Sequence, residues 1–184
     1  MIIKHLTTEE LEAGLKDIYL SPKDNGLIDM IVCRPEDEKR EVLPEAKLDL
    51  TEGLVGDNWK TRGSKKTPDG SAHPEMQINI MNSRVIALVA QKKERWQLAG
   101  DQLFIDMDLS AENLPAGTKI SIGDAKLEIT PTPHSGCKKF TQRFGLEALK
   151  FVNSPLGKEL HLRGVNARVI QAGTIRVGDV AKKM

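Results

Sequence analysis

The chain has 184 residues, with 27 lysines and arginines against 26 aspartates and glutamates, and only 4% of its residues are aromatic. This charge balance gives no reason to expect nucleic acid or a membrane surface as the main partner, and the scarcity of aromatic side chains argues against a base-stacking surface. The length suits one domain with a substantial core, and the longest apolar run, 85–90, is far too short to cross a bilayer. Because the first ten residues lack the apolar core of a signal peptide, we expect a cytoplasmic protein.

The predicted elements are short strands with a few helices between them. Alternating apolar residues indicate strands, and apolar residues at helical spacing indicate helices. In chain order they are a helix at 7–20, strands at 27–33, 42–50 and 76–81, a helix at 83–97, a strand at 103–107, a hairpin at 119–129, helices at 140–152 and 156–160, and strands at 166–171 and 174–177. Many short strands predict a mainly β protein with a closed or nearly closed barrel-like sheet and a few peripheral helices. Regular βαβ alternation is absent, which argues against a doubly wound sheet.

Two charged segments interrupt these elements. The stretch 36–41 is most simply a solvated loop. The longer polar stretch 60–74 carries Lys60 and Arg62 with two further lysines, enough cations to bind a phosphate. A loop of this length in a compact domain is commonly functional or mobile, and a solvated loop without a role is the alternative interpretation.

The two cysteines, Cys33 and Cys137, do not make a disulfide framework. Cys33 lies in an apolar strand and is predicted to be core filler. Cys137 follows a strand, two prolines and Gly136, and it precedes a helix, so we expect it at a strand-to-helix turn. The helix dipole and nearby cations favour a thiolate, the form that attacks electrophiles and binds soft metals. A small hydrophobic residue that caps a core is the alternative interpretation.

Several other functions stay open at this turn. His134 is close enough in sequence to act as a base for a hydrolase with Cys137 as nucleophile, although no oxyanion-hole motif is recognisable. His134 and Cys137 could also bind a metal together, but a structural zinc needs four ligands and the other histidines are scattered along the chain. A structural or interaction domain would leave Cys137 inert.

A set of short motifs follows a specific order around Cys137. The motifs are Gly26-Leu-Ile with Arg34-Pro35, Gly53-Leu-Val-Gly-Asp57, the turn 108–117, Ile122-Gly-Asp124, Leu127-Glu-Ile-Thr130, Gly136-Cys-Lys-Lys-Phe140, Arg143-Phe-Gly145, Arg163-Gly-Val165 and the closing segment 173–179. In this order they resemble the MOSC family, the molybdenum-cofactor sulfurase C-terminal domain, from about residue 20 to the end. The chain is similar to a stand-alone member, with a single MOSC domain over 1–184, an N-terminal helix in 1–20 and a core of about 21–180.

The resemblance implies a β-barrel-like fold with peripheral helices. It gives Cys137 one of two roles, as a molybdenum ligand or as a persulfide that carries sulfur. The implied cofactor is the molybdenum cofactor, molybdopterin, and the implied activity is reduction of N-hydroxylated compounds or delivery of sulfur to metal–sulfur centres. A cysteine desulfurase or a redox protein would be the partner. The alternative is a carrier or interaction domain without bound metal.

The pterin cofactor carries an anionic phosphate, so cations and polar groups are expected beside the thiol. The candidate cofactor-binding residues are Lys60, Arg62, Asn113, Thr130, His134, Lys138, Arg143 and Arg163, with Arg168 as a further cation. The alternative for each cation is a surface charge or an ion-pair partner. Arg62 is the first choice because a guanidinium binds phosphate through two parallel hydrogen bonds. We expect Cys137 at the end of a cleft, with the preceding strand and the loop 58–75 as walls.

Overall fold

The computed structural model describes residues 3–184. Its helices are α1 (Thr8–Ala13), α2 (Leu15–Ile18), α3 (Trp59–Arg62), α4 (Ser83–Ala90), α5 (Lys138–Phe144), α6 (Leu146–Asn153) and α7 (Pro155–Glu159), with 3-10 helices at Pro74–Met76 and Lys93–Ala99. Its strands are β1 (Gly26–Cys33), β2 (Glu41–Leu43), β3 (Glu45–Asp49), β4 (Gly53–Leu54), β5 (Ile78–Asn82), β6 (Leu103–Asp106), β7 (Lys119–Ile122), β8 (Ala125–Ile129), β9 (Val165–Gln171), β10 (Gly173–Arg176) and β11 (Val180–Lys183).

Seven strands close into a mixed barrel in the order β11-β7-β8-β9-β5-β6-β1, because β1 also pairs with β11. Only the pair β5–β6 is parallel, and the other neighbours in the barrel run antiparallel. Strand β2 extends the sheet beyond β1, and β10, β3 and β4 form a second, three-stranded sheet. Closure pairs the outer strands with each other and so removes free sheet edges. The predicted mainly β, barrel-like fold with peripheral helices is confirmed.

The core has two apolar clusters, one inside the barrel and one between its outer face and the helices. Strand β1 contributes to both, since Ile28 and Ile31 belong to the inner cluster while Met30 and Val32 belong to the helix-side cluster. Residues 28 and 31 share a side, although their spacing is odd, because the register shifts between Ile28 and Met30. Burial of both faces explains why this strand has a continuous apolar sequence.

Each of the three long helices predicted from the sequence is interrupted: 7–20, 83–97 and 140–152. Gly14 separates α1 from α2, at a point where an added Cβ would lie 2.4 Å from the Leu88 side chain of α4. Gln91 ends α4 in the left-handed conformation with φ 64°, and the chain continues as a 3-10 helix. Gly145, with φ 94°, separates α5 from α6. Local glycines and close approaches therefore override the helical spacing.

The predicted strands need three corrections. The strand expected at 42–50 is two strands, broken at Pro44, which has no N–H group to donate to a continuous ladder. The strands β4 and β11 were not predicted, because each has at most four residues. The last two predicted strands, 166–171 and 174–177, belong to different sheets as β9 and β10. The hairpin of β7 and β8 matches its prediction, with Ile122 opposite Ala125. Within residues 3–184 no helix has the length and apolar character needed to cross a membrane.

Candidate functional site

Cys137 lies exposed at the N-cap position of α5, which confirms the predicted strand-to-helix turn. Its carbonyl accepts a hydrogen bond of 3.1 Å from the Thr141 amide. The preceding residue is tied to α6, because the Gly136 amide donates to Asn153 Oδ1 at 2.9 Å and Asn153 Nδ2 donates to the Gly136 carbonyl at 3.2 Å. The thiol therefore lies at the protein surface, on a turn that is hydrogen-bonded to α6.

The segment 130–136, here called the cysteine loop, is also fixed to the end of the barrel. The buried Thr130 donates its amide to the Asn166 carbonyl at 2.9 Å and its hydroxyl to the Glu75 carbonyl at 2.6 Å. Asn166 Nδ2 donates to the Thr132 carbonyl at 2.9 Å. These hydrogen bonds hold the cysteine loop against Glu75 and Asn166.

His134 points from the cysteine loop onto a buried ionic group. Its Nε2 lies 2.8 Å from Asp101 Oδ1, and the other carboxylate oxygen accepts from Arg163 Nη1 at 2.6 Å. Burial opposes the charge on Asp101, but the positive charges of Arg163 and His134 outweigh it and lower the pKa of that carboxyl. Burial and then Arg163 lower the pKa of His134. His134 is therefore a neutral imidazole that donates from Nε2, and its Nδ1 keeps a free lone pair.

A second buried ion pair lies beside this group. Arg34, only 4% exposed, donates to both carboxylate oxygens of Asp57, from Nε at 2.9 Å and from Nη2 at 2.8 Å. Its Nη1 donates to Asn79 Oδ1 at 3.0 Å and to the Gly100 carbonyl at 2.9 Å. The charge of Arg34 also contributes to the lowered pKa of His134, so the two ionic groups are close neighbours. All three guanidinium nitrogens of Arg34 donate hydrogen bonds, so its side chain is held in one conformation.

Arg34, Arg40 and Arg62 form what we call the arginine cluster. Burial and then the charges of neighbouring arginines lower the pKa of both Arg40 and Arg62, with Arg34 acting on each. Arg62 is exposed over much of its surface, although neighbouring atoms partly desolvate its guanidinium. Within residues 3–184, neither Arg40 nor Arg62 has a carboxylate within ion-pair distance, and Arg40 Nε is buried without a hydrogen-bond partner. Neighbouring arginines without an ion pair of their own favour a bound anion.

The predicted solvated loop 36–41 joins this cluster to α5. Residues 36–39 are exposed as expected, but Arg40 is half-buried and Glu41 already begins β2. Glu38 accepts from Arg143 Nη2 at 2.6 Å, and Asp37 accepts from Lys139 at 3.2 Å. The other terminal nitrogen of Arg143 donates to the Leu98 carbonyl at 2.7 Å. The ion pairs hold this loop, and with it Arg40, against the helix that starts after Cys137.

The remaining candidate residues lie in different surroundings. Lys60 pairs with Glu52, and Arg168 pairs with Glu128 at 2.7 Å. Asn113 Nδ2 donates to the carbonyls of Lys23 and Asp108, and its Oδ1 accepts from Lys183. Lys138 is exposed in the first turn of α5, directly after Cys137. The ion pairs of Lys60 and Arg168 and the bonds of Asn113 account for these three side chains without a ligand.

A partly open cavity of about 700 Å³ lies on the other side of the cysteine loop. It is lined by residues 129–135, by parts of α6 and α7, by the turn 111–116 and by residues 161–166. It differs from the cleft expected from the sequence, because neither Cys137 nor any residue of 58–75 lines it. The strand before the cysteine, β8, does contribute through Ile129.

The sequence interpretation missed four residues of this region. Arg34 and Asp57 entered only as parts of motifs, Arg40 was assigned to a solvated loop, and Asp101 was not singled out. Gly-Asp pairs at 56–57 and 100–101 could have drawn notice, but they occur in ordinary turns as well. No periodic pattern distinguishes a buried carboxylate at the start of a strand from an exposed one.

The family model of the MOSC domain matches residues 67–182, which include Asp101, His134, Cys137 and Arg163. The chain belongs to the MOSC domain family. Members of this family are associated with the molybdenum cofactor. The match begins after Arg34, Arg40 and Arg62, so the arginine cluster lies in the part of the chain before the matched segment.

Solved structures share the MOSC fold of this chain. The YUAD protein from Bacillus subtilis is 16% identical, with a TM-score of 0.57 over 87% of this chain and 97% of that one. YiiM from Escherichia coli is also 16% identical, with a TM-score of 0.56 over 86% of this chain and 69% of that one. A protein described as hypothetical is 20% identical, with a TM-score of 0.58 over 86% of this chain and 68% of that one. No curated protein matched the sequence.

Proposed function

We propose that this MOSC domain binds the molybdenum cofactor, with Cys137 as the metal ligand and the arginine cluster as the anion site. The observation that carries the proposal is the pair Arg40 and Arg62, which has no carboxylate partner within residues 3–184, on the side where the loop 36–41 meets α5. A guanidinium fork suits a phosphate group, and a thiolate suits a soft metal centre.

The chemistry of the donor set fits this cofactor better than a bare metal ion. Among the described residues no three histidine, cysteine or carboxylate side chains are grouped so that they could hold a metal. A metal that arrives with its own pterin sulfur ligands needs fewer protein donors, and one exposed thiol can supply the additional ligand. The buried Arg40 Nε without a partner is the donor that an anionic group would satisfy. When bound, the cofactor would supply two-electron redox chemistry, in line with reduction of N-hydroxylated compounds by a protein that receives electrons from a redox partner.

The residues around the cofactor would then have separate tasks. Arg62 and Arg40 would bind the anionic end, and the exposed Lys138 would add positive charge beside the thiol. Arg163 and Arg143 would act through others, since Arg163 holds Asp101 and His134 in place and Arg143 anchors the loop that carries Arg40. Thr130 would fix the start of the cysteine loop.

A second function is favoured by the exposure of Cys137 at the protein surface. A surface thiolate can attack the persulfide of a cysteine desulfurase: the new S–S bond forms on Cys137, and the desulfurase cysteine leaves as a thiolate. The protein would then carry sulfur to metal–sulfur centres without bound metal, and the arginine cluster would serve as a docking contact. Either function is consistent with a location in the cytoplasm.

The test is elemental and pterin analysis of protein purified from a molybdenum-replete host. We expect molybdenum and pterin in equal amounts in the parent protein and the loss of molybdenum in Cys137→Ser. Arg62→Glu should lower cofactor content at least tenfold, since reversal of a phosphate contact replaces attraction by repulsion, and it should change the melting temperature little. The matched control is Lys65→Glu, an exposed charge reversal in the same polar stretch.

The outcomes separate the two candidates. Sulfane sulfur on Cys137 without molybdenum or pterin selects the sulfur carrier. If the parent contains neither molybdenum nor sulfane sulfur, the thiol has neither function. The same conclusion follows if the parent and Cys137→Ser contain equal amounts of molybdenum and of sulfane sulfur. Equal cofactor contents in the parent, Arg62→Glu and Lys65→Glu would remove Arg62 from the anion site.

A further inference from the structure

The cavity behind the cysteine loop has no task in the function proposed above. Its volume of about 700 Å³ falls in the usual range of small-molecule sites. Its walls come from four separate parts of the chain and consist largely of small or aliphatic side chains: Ala111, Pro115, Ala116, Ile129, Pro131, Pro133, Val152, Gly157, Gly164 and Val165. Three of these are proline rings, and no phenylalanine, tyrosine or tryptophan among the described residues lines the cavity. The walls therefore offer flat apolar contact area.

His161 lines this cavity and has a ring nitrogen without a hydrogen-bond partner among the described residues. Its Nδ1 lies 2.6 Å from the Leu109 carbonyl, and since a carbonyl can only accept, Nδ1 carries a hydrogen; in the neutral ring Nε2 therefore keeps a lone pair. Nε2 has no partner in the described part of the chain and is not buried out of reach. His161 also adopts the left-handed conformation with φ 49°, which is uncommon for a residue other than glycine. This backbone conformation costs free energy, so the surrounding structure must maintain the position of the His161 ring.

His134 presents a second unpaired nitrogen. Its Nε2 donates to the buried carboxylate of Asp101, so its Nδ1 keeps a lone pair as well, and this nitrogen is likewise not buried out of reach. Burial of His134 beside Arg163 keeps the imidazole neutral, as described above. The lining of the cavity therefore includes two imidazole rings, and in its neutral form each keeps one nitrogen as a hydrogen-bond acceptor.

Among the other polar groups of the lining, only Ser135 and Lys158 have side chains without a hydrogen bond in the described part of the chain. Thr130, Thr132, Asn153 and Asn166 already use their side chains in hydrogen bonds within the protein. The remaining cation is Lys158 on α7, which is exposed and has no carboxylate within ion-pair distance among residues 3–184. A ligand should thus carry N–H or O–H donors for the histidines and an anionic group for the lysine.

We propose that the cavity binds a small aromatic acid with an O–H or N–H donor on its ring. A flat ring fits between proline and glycine surfaces, its donor pairs with an imidazole nitrogen, and its carboxylate lies toward Lys158. The ring, the donor and the carboxylate of the ligand each match one kind of group in the lining. An acid without the donor would leave the histidine nitrogens desolvated and unpaired. The proposal does not rest on Cys137 or on the molybdenum cofactor.

Calorimetric titration with three probes tests the ligand class. The probe 4-hydroxyphenylacetate has ring, donor and acid; phenylacetate lacks the donor; 4-methylphenol lacks the acid. We expect saturable one-site binding of the first and at least tenfold weaker binding of the other two. Failure of 4-hydroxyphenylacetate to bind, or equal binding of all three probes, would overturn the proposal.

Variants locate the site. His161→Ala and the cavity-filling Ala116→Trp, at an exposed position of the rim, should each weaken 4-hydroxyphenylacetate binding at least tenfold. Lys158→Met should weaken binding of the acid and leave 4-methylphenol unaffected, and Lys65→Met is the matched control outside the cavity. Cys137→Ser should bind the probe like the parent, which separates this result from the fate of the cofactor proposal. If His161→Ala and Ala116→Trp bind the probe like the parent, the proposed location of the site is wrong. If Zn²⁺ displaces the probe and its binding requires both histidines, the proposed ligand class is wrong.

Discussion

At the scale of single residues, the two cysteines occupy opposite environments. Cys33 is 4% exposed inside the barrel, and burial, followed by the negative charge of Asp57, raises the pKa of its thiol to about 11. Cys137 is exposed at the start of α5. The thiolate is the reactive form, so burial and the raised pKa both protect Cys33, whereas Cys137 is accessible.

We therefore predict that iodoacetamide at pH 8 labels Cys137 at least about 100-fold faster than Cys33 in the native protein. Peptide-resolved mass spectrometry measures both rates in one sample. In Cys137→Ser the remaining slow label should appear on Cys33 only after denaturant is added. Similar rates at the two thiols of the folded parent would show that Cys33 is not protected.

Gly136 is a residue for which one of the two reasons suggested by the sequence is wrong. A glycine before a cysteine indicated positive φ or close approach of a ligand, but its φ is not in the left-handed region. An added Cβ would instead lie 2.7 Å from Leu149 Cδ1 and 3.2 Å from Val152 Cγ2 on α6. The glycine is needed because the cysteine loop packs directly against that helix.

Gly136→Val should therefore lower the free energy of unfolding by about 1–3 kcal/mol, the usual cost of overpacking. Gly136→Ala should cost less, because only one added carbon must be accommodated. Denaturant unfolding measures both, and Ser135→Val, at the exposed neighbouring position, is the control. A Gly136→Val protein as stable as Ser135→Val would mean that α6 moves aside without cost.

At the scale of elements, the cysteine loop depends on the ionic group formed by His134, Asp101 and Arg163. The pKa of His134 is lowered from 6.5, so below that pH the unfolded chain binds a proton that the folded protein resists. The pKa of Asp101 is lowered as well, so its stabilising contribution is present above 3.8 and is lost as pH falls further. Both pKa shifts make the folded protein less stable as the pH falls, so acid weakens the interactions that hold the cysteine loop.

We predict that the melting temperature falls as pH is lowered from 7.5 to 5, through the range that starts at the ordinary histidine pKa. His134→Gln, which cannot take up the proton, should show a weaker pH dependence over this range. Thermal melts at constant ionic strength measure it, and His73→Gln, outside this ionic group, should keep the parent profile. A His134→Gln profile as steep as that of the parent would assign the acid sensitivity to other groups.

At the scale of the whole molecule, the last strand decides whether the barrel is closed. Strand β11 pairs with β1 through Gly26 and Leu27, and with β7 through Ser121 and Ile120. Its Ala181 is fully buried. Without it, β1 and β7 would become open edges and the inner apolar cluster would lose one wall.

Removal of residues 180–184 should therefore abolish cooperative unfolding or lower the melting temperature by more than about 10 °C, because a barrel cannot close with one strand missing. Circular dichroism and dye binding to exposed apolar surface measure the change. The substitution Lys182→Ala, at an exposed position of the same strand, should leave melting within about 2 °C of the parent. Parent-like melting of the truncated protein would mean that β11 only covers a barrel that is already stable.

Sequence patterns alone identified most of the elements, the barrel class and the turn that carries Cys137. These features are local: the hairpin 119–129 needs only its alternation and its Gly-Asp turn, and the cysteine turn needs only a strand, prolines and a following helix. Short strands and helix breaks were missed, since β11 has four residues and the left-handed Gln91 has no sequence pattern that marks it. Their conformations depend on neighbours that are distant in the chain.

Only the tertiary structure decided which charges meet. The sequence supplied Arg62 and His134 as candidates. The neighbouring cation of Arg62, Arg40, lies 22 residues away along the chain, and the carboxylate that His134 contacts, Asp101, lies 33 residues away. Ion pairs and cavities are set by the packing of whole elements, and a slip of one strand by one residue would replace every partner. The chain order therefore determined the family and the fold, whereas barrel closure determined the arginine cluster and the histidine-lined cavity.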